Sequence, residues 1–218
     1  MRRWYSLPMM GNRKDTTLYQ PAPVQSKPWR RLWHLLGGSF FPILALFILR
    51  ETLLITLGAI TAIFVTWEIV RFASPRVNRW MVSHLSVILK GEERFRPTGT
   101  TYLLLASLAV FLLFDKYVAI ASLLFLSIGD LMATVIGEKF GKRILFNKSS
   151  EGSLACLASC LLIGIVMSRL TPAIALPVAI VGAVSATIVE LLPVPIDDNL
   201  TIPLISGGLM TLAATCLR

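Results

Sequence analysis

The stretch IGDLMATVIGEKFGKRILFNKSSEGSLA, residues 128–155, begins as an apolar helix and then fills with glycine, charge and serine. Asp130, Glu138, Lys142, Lys148 and Glu151 all fall within it. The fold depends on whether this is a soluble loop or the polar mouth of a membrane protein. The chain has 218 residues, 55% hydrophobic and only 15% charged, with a mean hydropathy of +0.72. A soluble domain carries about a quarter charged residues. The fold class read from this is therefore all-α: a polytopic membrane protein of about seven transmembrane helices plus one interfacial amphipathic helix.

Seven apolar spans are expected near 33–49, 52–70, 99–114, 117–137, 153–169, 173–192 and 200–217. Residues 1–29 read as a mobile basic cytosolic tail without a cleavable signal, and 30–218 as the membrane-embedded domain. One straight helix from Leu35 to Phe72 would be about 57 Å long, too long for one crossing, so a tight hairpin is expected at Arg50-Glu51. The net charge of +9 is explained by topology rather than by nucleic acid. Arg2, Arg3, Arg13, Lys14, Lys27, Arg30 and Arg31 precede the first span. Arg71, Arg76, Arg79, Lys90, Arg94 and Arg96 follow the second, and Lys139, Lys142, Arg143 and Lys148 follow the fourth. Only Arg50, Lys116, Arg169 and Arg218 fall on the other side, a split of 17 to 4. That places the N-terminus in the cytosol and the C-terminus opposite, in the plasma membrane if the source is bacterial. Between spans two and three, Val77, Trp80, Met81, Leu85 and Ile88 form the apolar stripe of an interfacial helix.

The ionisable groups inside the spans share one depth. Asp130 lies about 20 Å from Tyr117, Glu190 about 26 Å from Ala173, and Glu68 about 24 Å from Thr52. Three helices thus carry a carboxylate toward the cytosolic leaflet, and intramembrane carboxylates mark functional sites. Asp130, Ala133, Thr134, Gly137 and Gly141 fall on a narrow helical stripe of small side chains. Either a ligand or a second helix could approach there. GEKFGK is one residue short of a P-loop, and Arg143 follows Lys142 where Ser or Thr is required. A Lys- and Ser-rich loop opening a helix at Ser149–Ser153 still offers N–H groups to a phosphate, with Glu151 either holding a metal or orienting a lysine. In LLPVPIDDNLTIPL, Pro193, Pro195 and Pro203 break the helix, and Asp197, Asp198 and Asn199 form an oxygen cluster suited to Mg²⁺ with substrate phosphates. An Asx-turn would need only one of the three. Cys156 and Cys160 share a helix face and read as small packing residues.

At these residues the sequence resembles the polyprenol kinase family, the CTP-dependent lipid kinases that include dolichol kinase, phytol kinase and yeast-type diacylglycerol kinase. The resemblance runs from Arg30 to the C-terminus. Its elements are Arg30, Arg31 and His34; Glu68 and Arg71 with Arg76 and Asn78; and Glu92, Glu93, Arg94, Thr98 and Gly99. They continue through Gly129, Asp130, Ala133, Gly137 and Gly141, then Lys148, Ser149, Glu151, Gly152 and Ser153, and close on Glu190, Asp198 and Asn199. The resemblance implies transfer of the CTP γ-phosphate to a lipid alcohol with Mg²⁺ at the cytosolic face. Asp130, Glu68 and Lys148 are the expected catalytic groups. Gly129, Thr134, Gly137, Gly141, Lys142, Lys148, Ser149, Glu151, Ser153 and Asn199 are expected on the nucleotide. Asp130, Asp197, Asp198 and Glu190 are expected on the metal, and Arg30, His34, Arg71, Asn78 and Arg94 on the acceptor side.

The expected partners are CTP, a lipid alcohol and membrane lipids, with no nucleic acid; a homo-oligomer stays open. Phosphatidate cytidylyltransferase is the nearest alternative, since it also consumes CTP, but the Lys-Ser-x-Glu-Gly-Ser motif favours a kinase. A secondary transporter would often show repeated halves with charges at the midplane. No repeat is visible here, and the charges lie to one side.

Overall fold

The computed structural model describes residues 28–217, apart from 86–88, 90 and 147. It is helical throughout except for one short hairpin. Helix α1 spans Pro28–Phe47, α2 Arg50–Ala73 and α3 Pro75–His84. Helix α4 covers Gly99–Leu113. Next, α5 (Lys116–Leu124), a π-helical turn (Phe125–Asp130) and α6 (Leu131–Phe140) run on as one rod. Strands β1 (Ile144–Leu145) and β2 (Lys148–Ser149) pair antiparallel. Helices α7 (Ser150–Leu170), α8 (Leu176–Leu191) and α9 (Asp198–Cys216) complete the chain.

The breaks follow local chemistry. Pro75 disfavours helical backbone at Ser74, which is extended, so α2 stops and α3 starts afresh with proline in its first turn. Pro193 ends α8 in the same way, with Leu192 extended. Side chains of Thr98, Asp115, Ser149 and Asp197 cap α4, α5, α7 and α9 by accepting backbone N–H bonds. The chain turns between Phe47 and Arg50, where the hairpin is expected. Proline is less disruptive than its position implies: Pro42 lies inside α1 and Pro203 inside α9.

The rod of α5, π-turn and α6 is the centre of the fold. More than half of its apolar window is buried, a larger share than in the other long apolar helices. Ile120, Leu123, Phe125 and Leu126 along it are each 1% exposed or less. Helices α1, α7 and α9 pack against it, and α4 and α8 close the bundle against α9. The outward faces stay apolar: Ile55, Ile63, Leu112, Leu162 and Leu212 are exposed, as a lipid-facing surface requires.

Among the described residues, four helices are long and apolar enough to cross a membrane by length and composition: α2, the rod Lys116–Phe140, α7 and α9. Helices α4 and α8 are apolar but only 15 and 16 residues long. The described part of the interfacial element is α3, which carries Val77, Trp80 and Met81 of the expected stripe. In α3, Met81 turns inward at 1% exposure, while Trp80 stays exposed and stacks on His84 with ring centroids 4.7 Å apart. Ile88 lies outside the described residues, as do residues 1–27 of the expected tail.

The two ends of the bundle differ in chemistry. At one end Arg50 donates to the carbonyls of Phe111, Leu112 and Phe114, so a charge set apart from the main basic groups satisfies the C-terminus of α4. Arg71 lies 21 residues further along α2, about 32 Å away, at the end where every other polar cluster collects.

Candidate functional site

A cavity of about 440 Å³ opens at that polar end. Its size is typical of small-molecule sites. Three helix N-termini meet there: Thr98, Gly99 and Thr100 from α4, Ser149 and Gly152 from α7, and Asp197, Asp198 and Asn199 from α9. Their positive dipole ends favour an anion. Arg30, Arg31 and Lys148 also line the space. Facing them are the carboxylates of Glu93, Asp130, Glu138, Glu190 and Asp198.

Lys148 links three of these elements. Its Nζ donates to the Glu190 carbonyl, and it lies 3.2 Å from Glu190 Oε1 and 3.1 Å from Asp198 Oδ2. Burial opposes its charge most strongly, yet the carboxylates of Asp198, Glu190 and Asp130 together hold its pKa above the ordinary lysine value. Glu190 Oε2 accepts from Ser153 at 3.1 Å, which ties α8 to α7. Lys148 therefore points into the cavity from an anionic cradle rather than extending freely toward a ligand. On the opposite wall Arg31 donates to Glu138, joining α1 to α6.

The small-residue stripe proves to be a close helix contact. A Cβ on Gly137 would lie 2.6 Å from Ser149 Oγ, and one on Gly152 would lie 2.5 Å from the Ala133 carbonyl. Gly129 faces Cys160 Sγ at 2.7 Å in the same sense and does not line the cavity. Of the two readings left open for this stripe, helix packing accounts for the glycines, while Asp130, Thr134 and the edges of Gly137 and Gly141 reach the cavity. The π-turn ends at Asp130 and sets the angle at which that carboxylate enters; π-bulges often occur at such places.

Several expected ligands instead shape the site. Glu151 accepts from the Lys142 N–H at 3.1 Å, the Arg143 N–H at 3.4 Å and the Ser150 hydroxyl at 3.2 Å, so it folds the β-hairpin back. Lys142 and Ser153 do not line the cavity. Asp197 accepts from the Asn199 N–H at 3.0 Å and from its Nδ2 at 2.6 Å, the geometry of a cap. That leaves Asn199 Oδ1 buried without a partner beside the cavity.

Glu68, expected among the reacting groups, is buried and does not line the cavity. Its carboxylate accepts from Arg71 Nε at 2.5 Å, the Thr98 N–H at 2.9 Å and the Thr101 hydroxyl at 3.0 Å. Arg71 is fully buried and donates to Asn78 Oδ1 and to the carbonyls of Glu93 and Arg96. Asn78 Nδ2 donates to the Arg94 carbonyl. Glu68, Arg71, Asn78 and Arg94 thus hold the loop before α4 and do not line the cavity. The i,i+3 spacing of Glu68 and Arg71 is visible in sequence, but the backbone carbonyls that Arg71 serves are not. Sequence reasoning also missed the N-terminus of α4 as a wall, together with Trp33, whose Nε1 donates to Thr100 Oγ1 at 3.2 Å. The Thr98 cap was the available signal.

No preformed metal cage exists among the described residues: no three His, Cys, Asp or Glu side chains gather about one point. The open carboxylates of Asp130 and Asp198 suit Mg²⁺ in its usual form, held by one or two carboxylates with substrate phosphates supplying the rest.

Fold and cavity together define an all-α, membrane-type protein with a polar cavity at one end of an apolar bundle. Three proteins of known sequence show what this resembles. The chain is 29% identical over 181 residues to an uncharacterized protein of Rickettsia prowazekii, covering 80% of this chain and 88% of that one. It is 28% identical over 162 residues to the CTP-dependent diacylglycerol kinase 1 of Schizosaccharomyces pombe, covering 67% of this chain and 74% of the yeast protein. It is 31% identical over 135 residues to a probable chloroplastic phytol kinase of Triticum aestivum, covering 55% of this chain but only 45% of the wheat protein. No family model matches the chain, and no solved structure matches it.

Proposed function

We propose that this chain is a CTP-dependent lipid kinase of the polyprenol kinase type, transferring the γ-phosphate of CTP to a membrane lipid alcohol. The observation that carries this reading is the meeting of three helix N-termini with Lys148 and open carboxylates at one end of an apolar bundle. A triphosphate is the anion that such a mouth would hold, and an acceptor dissolved in the bilayer can reach the same end from the side. The yeast and wheat relatives, both named as kinases of lipid substrates, support the reaction class; the yeast name supports CTP as donor.

In this reading residues 30–218 form one membrane unit of seven spans. Helices α1, α4 and α8 cross along with α2, the α5–α6 rod, α7 and α9, and the cavity faces the cytosol. Thr134, Gly137, Gly141, Ser149 and Asn199 border the triphosphate. Lys148 offsets its charge from within its cradle and keeps Glu190 and Asp198 together. Asp130 and Asp198 would hold Mg²⁺ together with the nucleotide's phosphates, and the ion would supply neutralisation of phosphate charge. Glu68, Arg71 and Asn78 act as positioning residues by fixing the loop that precedes α4. The acceptor oxygen bonds to the γ-phosphorus, and its proton passes to a cavity carboxylate, Asp130. The bond from that phosphorus to the bridging oxygen breaks, and CDP leaves with the electron pair. Positioning and charge do most of the work in such transfers.

The test is to incubate purified protein with γ-labelled CTP, Mg²⁺ and a panel of dolichol, phytol, shorter polyprenols and diacylglycerol. Labelled lipid phosphate with release of CDP is expected. Pyrophosphate released from CTP and phosphatidate would establish the cytidylyltransferase alternative instead.

A further inference from the structure

His34 lines the cavity, and its ring nitrogen Nε2 is buried without a hydrogen-bond partner. The nearest anionic group is Asp130 Oδ2 at 3.6 Å, beyond hydrogen-bond range. Asp130 in turn accepts no hydrogen bond among the described residues, although its side chain is only 27% exposed. A buried ring nitrogen left unpaired is costly, so such an atom points to a ligand.

We propose that the acceptor's hydroxyl sits in the cavity beside His34 Nε2 and Asp130 Oδ2 and bridges the two, so that the α1 wall takes the lipid alcohol and the α6–α7–α9 wall takes the nucleotide. The proposal rests on the kinase reading and deepens it. The two atoms together select the occupant. An imidazole N–H needs an acceptor, and a carboxylate needs a donor. A hydroxyl supplies both from one atom. A phosphate oxygen satisfies the imidazole but has no proton for Asp130 and is repelled by it.

Depth and polarity agree with this assignment. Asp130 lies eleven residues before Gly141, about 16 Å deeper along the rod. The deeper position is where a bilayer-dissolved alcohol presents its hydroxyl, and the shallower end is where a nucleotide enters from water. On the His34 side the cavity is lined by Trp33, Leu103 and Leu131, and Leu32, Leu36 and Phe40 continue α1 outward as exposed apolar groups. On the far side it is lined by Gly137, Ser149, Gly152 and Lys148. Arg31 pairs with Glu138, which lies on α6 nearer to Gly141 than Asp130 does.

The test uses the full chain in lipid nanodiscs with a lipid alcohol that it phosphorylates, comparing wild type, His34→Ala and His34→Gln. His34→Ala should raise the KM for the lipid about tenfold, the effect of one lost hydrogen bond, while the KM for CTP shifts less than about twofold. His34→Gln places an amide N–H near the Nε2 position and should recover part of the loss. A raised KM for CTP with an unchanged lipid KM would assign Nε2 to the nucleotide and overturn the proposal. Unchanged lipid KM in both variants would mean that only water sits beside the two atoms, and would overturn it too. If the alanine variant does not fold, the glutamine variant decides alone, by whether the lipid KM moves while that for CTP stays. Binding of labelled CTP to wild type without lipid separates the two ideas: absence of CTP binding defeats the kinase reading, whereas CTP binding with unmoved His34 variants defeats only the seat.

Discussion

Lys148 Nζ stands 3.1 Å from Asp198 Oδ2 and 3.2 Å from Glu190 Oε1, joining residues about fifty and forty positions apart through one ammonium. Without it, two acidic side chains on α8 and α9 would face each other across the cavity with no shared counter-ion.

The raised pKa of Lys148 gives a pH dependence with a definite sign. Burial works against the charge, and Asp198, Glu190 and Asp130 more than compensate. A lysine whose folded pKa exceeds its unfolded value contributes stability that is complete below the unfolded pKa and is lost as pH rises through the folded one. Thermal stability in detergent should therefore hold up to about pH 10.5 and fall above it. Lys148→Met should remove that alkaline step and lower the Tm at neutral pH. A Tm profile for the variant that superimposes on wild type would remove Lys148 from the account of stability.

Arg71→Ala should destabilise the protein severely, on the order of 3–5 kcal/mol, because it leaves the Glu68 carboxylate buried without its cation. The loop carbonyls of Glu93 and Arg96 would lose their donor as well. Arg71→Lys should recover little, since one ammonium cannot serve Glu68, Asn78 and two carbonyls in the fork geometry of a guanidinium. Chemical unfolding in mild detergent measures both; a lysine variant as stable as wild type would contradict the network.

Gly152→Ala should cost about 1–3 kcal/mol by forcing α7 away from α6. The added methyl would lie 2.5 Å from the Ala133 carbonyl and 2.8 Å from Ser149 Oγ. The same substitution at Gly58, where nothing lies within 4 Å, is the control and should leave the Tm in place or raise it slightly. Equal behaviour at the two positions would mean that α6 and α7 do not pack this closely.

Single cysteines at Ser26 and Leu217, in a background lacking Cys156, Cys160 and Cys216, test the seven-span proposal. Membrane-impermeant maleimide applied to oriented vesicles should label the two positions from opposite sides. Labelling of both from one side would require an even number of crossings.

The sequence by itself determined the class of the protein and the end at which its chemistry lies. Hydropathy leaves the bilayer as the natural solvent for most of the chain, and helical rise puts Asp130 and Glu190 at one level whatever they touch. The helix opening at Ser149 and the break at Pro193 were legible for the same reason: each acts on backbone within a few residues. Division of labour among the acidic groups was not legible, because it depends on contacts between helices. Only tertiary structure turned Glu68 toward Arg71 and Thr98, gave Lys148 to Glu190 and Asp198, and spent the glycines of 129–152 on close packing. It alone left His34 Nε2 and Asp130 facing each other without a partner. Local spacing sets depth and periodicity, whereas the partner of a buried charge is set by which helix packs beside it.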